Sequence, residues 1–117
     1  MRPFLRLLAI AALFATAVPA QAHEVDCKGR TGIELARCER HAKVANQCGK
    51  LTGDEHFACD RDYLLANPLN CKSFSGAEAQ QCEAEVAAVK NCKAKPVGRE
   101  FMQCVKAEAK ANPMGGN

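Results

Sequence analysis

The chain of 117 residues has no tryptophan, a single tyrosine and an aromatic content of only 5%. It also lacks a Gly-x-Ser-x-Gly motif, a glycine-rich phosphate loop and a His-x-x-x-His pair, which are patterns of several enzyme classes. After the apolar run of residues 7–18, which is itself too short, no stretch is apolar enough to cross a bilayer. We therefore expect a non-catalytic protein that holds no cofactor.

Cysteine, in contrast, is abundant. Eight cysteines recur nine or more residues apart, at Cys27, Cys38, Cys48, Cys59, Cys71, Cys82, Cys92 and Cys104. This spacing contains no Cys-x-x-Cys pair, which thioredoxin-like proteins use for redox work and many zinc modules use for their metal. The spacing therefore predicts structural disulfides rather than a redox or thiolate metal site.

The first 22 residues have the three parts of a secretory signal peptide. Arg2 and Arg6 precede the apolar run, and Ala20-Gln21-Ala22 is an A-x-A cleavage site. We expect cleavage between Ala22 and His23 and a periplasmic or secreted protein. Without Arg2 and Arg6, the 16 basic side chains become 14 against 13 acidic ones, a net charge of +1.

A unit of about 22 residues recurs four times after the leader. Each copy reads Cys, a short spacer, Thr/Ser/Val-Gly-x-Glu and a second cysteine, at residues 27–38, 48–59, 71–82 and 92–104. We interpret residues 23–112 as one domain of four units, at about 27–47, 48–70, 71–91 and 92–112. Residues 113–117 are expected to form a disordered tail.

We predict one helix in each unit. Three copies resemble a capping box, in which a hydroxyl accepts a backbone hydrogen bond and Glu34, Glu55 or Glu78 reaches back to the cap. The fourth copy has Val97 in place of the hydroxyl. The fold class is all-α, with four short helices at about 32–47, 53–67, 76–91 and 98–111. Short links favour two disulfide-stapled helical hairpins, residues 27–70 and 71–111.

Large apolar residues are scarce, so packing alone would give a marginal core. The residues available for it are Ile33, Leu35, Val44, Leu51, Phe57, Tyr63, Leu64, Leu65, Leu69, Phe74, Val86, Val89, Val97, Phe101, Met102 and Val105. Disulfides that close loops of about a dozen residues would each add roughly 3 kcal/mol in the chain-entropy account.

Helix geometry restricts the pairing of the cysteines. Two cysteines ten residues apart on one helix lie about 15 Å apart, too far for a disulfide, which disfavours Cys38 with Cys48 and Cys82 with Cys92. We predict Cys48–Cys59 and Cys92–Cys104. The remaining four pair as Cys27–Cys38 and Cys71–Cys82 or, in a nested arrangement, as Cys38–Cys71 and Cys27–Cys82. The symmetry of the units favours the first scheme.

The cysteine ladder and the segment of residues 92–109 resemble the cysteine-rich repeat of a large Golgi sialoglycoprotein and of short exported bacterial proteins. A weaker resemblance is to the PsiF repeat of secreted, phosphate-starvation-induced bacterial proteins. It is carried by Cys38, Ala42, Gly53-Asp54 and Cys59, and by Cys82, Gly98-Arg99, Phe101-Met102 and Cys104-Val105-Lys106. Neither resemblance implies an established biochemical role, although the second implies envelope stress tolerance.

Charge is uneven along the chain. Residues 23–85 carry 8 basic and 11 acidic side chains, whereas residues 86–117 carry 6 basic and 2 acidic ones. This predicts a non-catalytic binding module, an inhibitor, adaptor or envelope stress protein, whose unknown protein partner lies in the envelope or outside the cell. The candidate partner-binding residues are Lys90, Lys93, Lys95, Arg99 and Lys106. An anionic surface is a further possible partner, and no nucleic acid is expected.

The alternative function is periplasmic copper binding. After cleavage, the amino group and imidazole of His23 could chelate Cu(II), with His41 or His56 as a third ligand, or unpaired cysteines could bind the metal. His41 and His56 themselves lie among charged residues, and we expect both to face solvent.

Overall fold

The computed structural model describes residues 24–115, which contain four α-helices, one 3₁₀ turn and no β-strand. The helices are α1 (Gly32–Cys48), α2 (Gly53–Ala66), α3 (Gly76–Cys92) and α4 (Arg99–Ala109), and the 3₁₀ turn is Cys71–Ser73. The all-α prediction is confirmed, and every helix begins and ends within two residues of its expected position. The expected leader, residues 1–22, and His23 lie outside the described residues.

Four disulfides join the eight cysteines as Cys27–Cys38, Cys48–Cys59, Cys71–Cys82 and Cys92–Cys104. These are the pairs in which each unit closes on itself, and the nested arrangement is not formed. In every pair one cysteine is buried and the other is half-buried. Four disulfides indicate an oxidising, extracytoplasmic environment. Within residues 24–115, no helix combines the length and apolarity that a bilayer crossing needs.

The helix starts differ from the expected capping boxes. Thr31, Thr52 and Ser75 do occupy the cap position, but none of their hydroxyls accepts a capping hydrogen bond. The glycine that follows each of them has a positive φ of 55° to 59°, whereas a standard box needs ordinary helical angles at that position. The recurring glycine is therefore explained by this left-handed turn, which a residue with a side chain adopts only under strain.

The main hydrophobic core lies between α3 and α4. Its buried members are Leu64, Ala88, Val89, Cys92, Phe101, Val105 and Ala109. Only Leu64 comes from the first hairpin, and Leu65 and Met102 pack at its edge. Two residues expected in the core are partly exposed instead: Leu51, which precedes α2, is 40% exposed, and Phe57 of α2 is 43% exposed.

A buried ion cluster joins the two hairpins. Glu85 of α3 is completely buried, and its carboxylate accepts a hydrogen bond from Arg37 Nε at 2.7 Å and another from Arg40 Nη2, both on α1. Glu34 extends the cluster at 2.6 Å from Arg37 Nη1. Burial lowers the pKa of Arg40, and the nearby Glu85 opposes that shift. Two arginines around one carboxylate thus join α1 to α3.

Residues 113–115 are packed, which corrects the expectation of a disordered tail for these residues; residues 116 and 117 lie outside the described part of the chain. Pro113 is fully buried, and its carbonyl accepts a hydrogen bond from Arg40 Nη2 at 2.6 Å. Met114 packs against the hydrophobic core, and Gly115 lies beside Arg37. The tail is held because a buried guanidinium needs the proline carbonyl as an acceptor.

Candidate functional site

The five candidate partner-binding cations are all exposed, but they occupy three different places. Lys90 lies in the last turn of α3, Lys93 and Lys95 lie in the link to α4, and Arg99 and Lys106 lie on α4 itself. None of them forms an ion pair with an acidic side chain of residues 24–115. Their charge is therefore available to an external partner.

Helix α4 has two opposite faces. Phe101, Val105 and Ala109 follow one another at intervals of four residues and are buried, so they form one stripe along the helix. The exposed side chains Arg99, Gln103 and Lys106 follow at intervals of four and three residues on the other side. We call these three residues the α4 basic face.

An exposed aromatic ring lies at the start of this helix. A Cβ atom added to Gly98 would stand 3.3 Å from Cδ2 of Phe57, so the ring of Phe57 lies against the backbone directly before Arg99. Phe57 nevertheless keeps 43% of its surface exposed. Aromatic residues and arginine are enriched in the centres of protein interfaces. Sequence reasoning missed this exposed ring because it assigned every large apolar residue to the core.

Lys90 belongs to a different surface. It borders an open groove of about 430 Å³ lined by Pro68, Leu69, Val86 and Ala87, together with Glu83 at the rim. The groove lies between the end of the first hairpin and the outer side of α3. Lys90 is thus separated by position from the α4 basic face, although the sequence placed it in the same basic segment.

The two described histidines are half-buried, which corrects the expectation that they face solvent. His56 Nδ1 lies 2.8 Å from the carbonyl oxygen of Cys48, and Nε2 lies 3.2 Å from Oδ2 of Asp60. A carbonyl oxygen can only accept, so Nδ1 carries the proton of that hydrogen bond. His56 and Asp60 are four residues apart in the sequence, and residues with that separation are neighbours on a helix, so the sequence contained a signal for this pair.

The other carboxylate oxygen of Asp60 is buried and has no hydrogen-bond partner among the described residues. Burial raises the pKa of Asp60, while its electrostatic interactions with His56 and His41 act in the opposite direction. His41 lies on α1, so two elements contribute to the electrostatic environment of this carboxylate.

His41 also lines a cavity of about 230 Å³. This cavity lies toward the start of α1, away from the bend that joins α1 to α2. Glu24, Asp26 and Arg30 line the same cavity, and Met114 and Gly115 close it from the tail. Both the beginning and the end of the described chain therefore meet beside one histidine.

No cysteine is free, which rules out the part of the copper hypothesis that used unpaired cysteines. Cys92, Cys104 and Glu108 bring sulfur and carboxylate atoms within 4.8 Å of one another. The two sulfurs are bonded to each other, and Glu108 accepts a hydrogen bond from Asn91 at 3.3 Å. This group is a disulfide with a neighbouring carboxylate, because metal binding by cysteine needs a thiolate.

A scan against protein-family models, a search of curated proteins and a search of solved structures each found no match to this chain.

Proposed function

We propose that the protein is a non-catalytic binding module that recognises an acidic protein partner outside the cytoplasm. The observation that carries the proposal is the exposed ring of Phe57 against Gly98, directly before the unpaired cations of the α4 basic face. An aromatic anchor with adjacent arginine is typical of the centre of an interface, and exposed cations attract an acidic surface. Lys93 and Lys95 extend the positive charge along the preceding link.

The scaffold supports this role. Four disulfides and the buried ion cluster hold the backbone on which the binding side chains stand, and a rigid surface loses less entropy on binding. The resemblance to exported bacterial cysteine-rich proteins agrees with a location in the periplasm or outside the cell. In the proposed mature form the signal peptide of residues 1–22 has been removed, and the chain begins at His23.

Photo-crosslinking in the exporting cell tests the interface. A photoreactive amino acid at Gln103, on the α4 basic face, should produce a discrete protein adduct, whereas the same group at Gln80 of α3, which is also exposed, should not. R99E/K106E should remove most of the adduct because it reverses the charge of the face. The matched control K43E changes an exposed lysine of α1 and should leave the adduct unchanged.

Two results would contradict the proposal. One is an equal adduct from both positions, and the other is an adduct that survives R99E/K106E. An adduct whose mass corresponds to a lipid would identify an anionic membrane surface in place of a protein partner. The intact mass of the exported protein tests the location, because a chain from His23 with all eight cysteines paired is eight hydrogens lighter than its reduced form.

A second candidate function is Cu(II) binding at the mature amino terminus. Glu24, which follows His23 in the sequence, lines one cavity with His41. The amino group and imidazole of His23 and the imidazole of His41 would supply the ligands, and nitrogen ligands suit Cu(II). Insertion of one alanine before His23 should abolish tight copper binding, and unchanged affinity would reject this candidate.

A further inference from the structure

The outer side of α3 carries two opposite charges with an apolar centre between them. Glu83 and Lys90 are exposed and lie seven residues apart, which is about 10.5 Å along a helix and almost two full turns. Both therefore lie on one side of α3, and Val86 and Ala87 lie midway between them. We call these four residues the α3 outer stripe, and all four line the open groove of about 430 Å³.

Neither charge of this stripe is neutralised by a neighbour on the helix. Ion pairs along a helix join residues three or four positions apart. Between Glu83 and Lys90, those positions are Val86 and Ala87 for both residues, and on the outer sides they carry no side chain of the opposite charge. Neither residue forms an ion pair with any other side chain of residues 24–115. Both charges are therefore available to a second molecule.

The pattern of the stripe is complementary to itself. Two copies of α3 can pack antiparallel about a two-fold axis that passes between Val86 and Ala87. Glu83 of each copy then lies opposite Lys90 of the other, so one contact contains two equal ion pairs, as an isologous interface requires. Charges that flank an apolar seam set the partner and the orientation of paired helices. An acidic partner, in contrast, would be attracted by Lys90 but repelled by Glu83.

The groove supplies apolar contact area beside the ion pairs. Ala87 is small, so two helices can approach toward the lower end of the usual interaxial distance of about 8 to 10 Å. Pro68 and Leu69, from the link between the hairpins, form the opposite wall and would cover the side of the incoming helix. Removal of this apolar surface from water favours association. Because the groove is short, the contact belongs to the small interfaces, below about 1,200 Å², that form reversibly.

We propose that the protein forms a reversible, two-fold symmetric dimer in which the α3 outer stripes of two copies pack antiparallel. The dimer surface is distinct from the proposed partner-binding surface, since it uses neither Phe57 nor the α4 basic face. It gives Lys90 a role that differs from that of the other four candidate cations. Each dimer would carry two α4 basic faces.

Sedimentation equilibrium of the oxidised protein over a range of concentrations tests the proposal. The average mass should rise from that of one chain toward that of two. E83K and K90E each place like charges opposite one another twice in the dimer, so each should weaken the association at least about tenfold. The matched control K43E changes an exposed lysine of α1 and should dimerise like the original protein.

Two further samples separate ion pairing from loss of folding. The double variant E83K/K90E exchanges the two charges, which restores both ion pairs, and should dimerise like the original protein. An equal mixture of E83K and K90E should also form dimers, because the first variant carries two basic residues in the stripe and the second carries two acidic ones. Circular dichroism should show the same helical content in every variant, since both positions are exposed.

Three results would overturn the proposal. They are the mass of a single chain for the original protein at every concentration, a dimer that persists in E83K, and a mixture of E83K and K90E that remains monomeric. The partner-binding proposal is tested separately. R99E/K106E, which should remove the partner adduct at Gln103, should leave this dimer unchanged, and E83K should leave that adduct unchanged.

Discussion

The two hairpins have the same covalent frame but different interiors. Each has two helices, two disulfides and a glycine at each helix start, with corresponding cysteines 44 or 45 residues apart. The second hairpin supplies all but one of the buried residues of the hydrophobic core. The first contributes Leu64 to that core and buries Ile33 and Val44 elsewhere. It also presents arginines, histidines and an aspartate to its neighbours.

This difference shows what the disulfides make possible. A closed loop of about a dozen residues stabilises the folded state by roughly 3 kcal/mol in the chain-entropy account, and each hairpin has two such loops. The first hairpin can therefore hold polar side chains at inner positions where the second needs apolar ones. The second hairpin thus provides most of the hydrophobic core, whereas the first places charged side chains against its neighbours.

The largest expected effect is on the buried ion cluster that joins the hairpins. E85Q keeps the size of the side chain but removes its charge, so Arg40 remains buried without a carboxylate partner and Arg37 keeps only the exposed Glu34. Loss of one partner of a buried pair typically costs about 3 to 5 kcal/mol, and we expect a decrease of that size in the free energy of unfolding. Urea unfolding of the oxidised protein measures it.

The matched control for this variant is E83Q, which makes the same change at an exposed position of the same helix. It should change stability by less than about 0.5 kcal/mol. If E85Q were no less stable than E83Q, the hairpins would not be joined by this cluster.

The next largest effect compares one phenylalanine from each hairpin. F101A removes a ring from the core of the second hairpin and should cost about 3 kcal/mol, whereas F57A truncates a ring that is 43% exposed and should cost less than about 1 kcal/mol. F57A should nevertheless weaken the partner adduct at Gln103. Thermal unfolding and the crosslinking yield measure the two properties, and similar stability losses would mean that Phe57 is a core residue.

The smallest expected effect is on the pH dependence of the protein's stability, through Asp60 in the first hairpin. Burial raises the pKa of Asp60 above its ordinary value of 3.8, against the opposing charges of His56 and His41. At pH values between the pKa of Asp60 in the unfolded chain and its higher pKa in the folded protein, the folded protein binds more protons than the unfolded chain. Linkage then predicts that stability decreases as pH rises through that window.

The variant D60N should lack this contribution. Urea unfolding in chelator-containing buffer, at several pH values above the ordinary aspartate pKa, compares it with the original protein. An identical slope in both proteins would show that Asp60 does not titrate differently in the folded state.

The helices and the disulfides could be predicted because their signals are local. The Thr/Ser-Gly-x-Glu pattern marked three helix starts, and ten-residue separations along a helix excluded wrong cysteine pairs. The hydrogen bonds of the capping boxes were predicted wrongly, since the positive φ of Gly32, Gly53 and Gly76 is not a property of the standard pattern. The glycine in each copy was the available clue.

The long-range features could not be predicted in this way. Glu85 meets Arg37 and Arg40 across more than 40 residues of sequence, and no local periodicity encodes such a contact. The packing of Pro113 could not be predicted for the same reason, because its carbonyl accepts a hydrogen bond from Arg40, which is distant in the sequence. His56 precedes Phe101 by 45 residues, the same separation as between Cys59 and Cys104, so the sequence shows that the two positions correspond. Only the structure shows that Phe101 is buried and that His56 is half-buried.

Amide hydrogen exchange of the oxidised, metal-free protein tests the central difference between the hairpins most directly. We predict that amides of α4 between Phe101 and Val105 exchange only through the most costly opening, because those residues lie in the hydrophobic core. Amides of α2 between His56 and Asp60 should exchange markedly faster. Equal protection, or greater protection in α2, would contradict the account of a packed second hairpin and a more polar first hairpin.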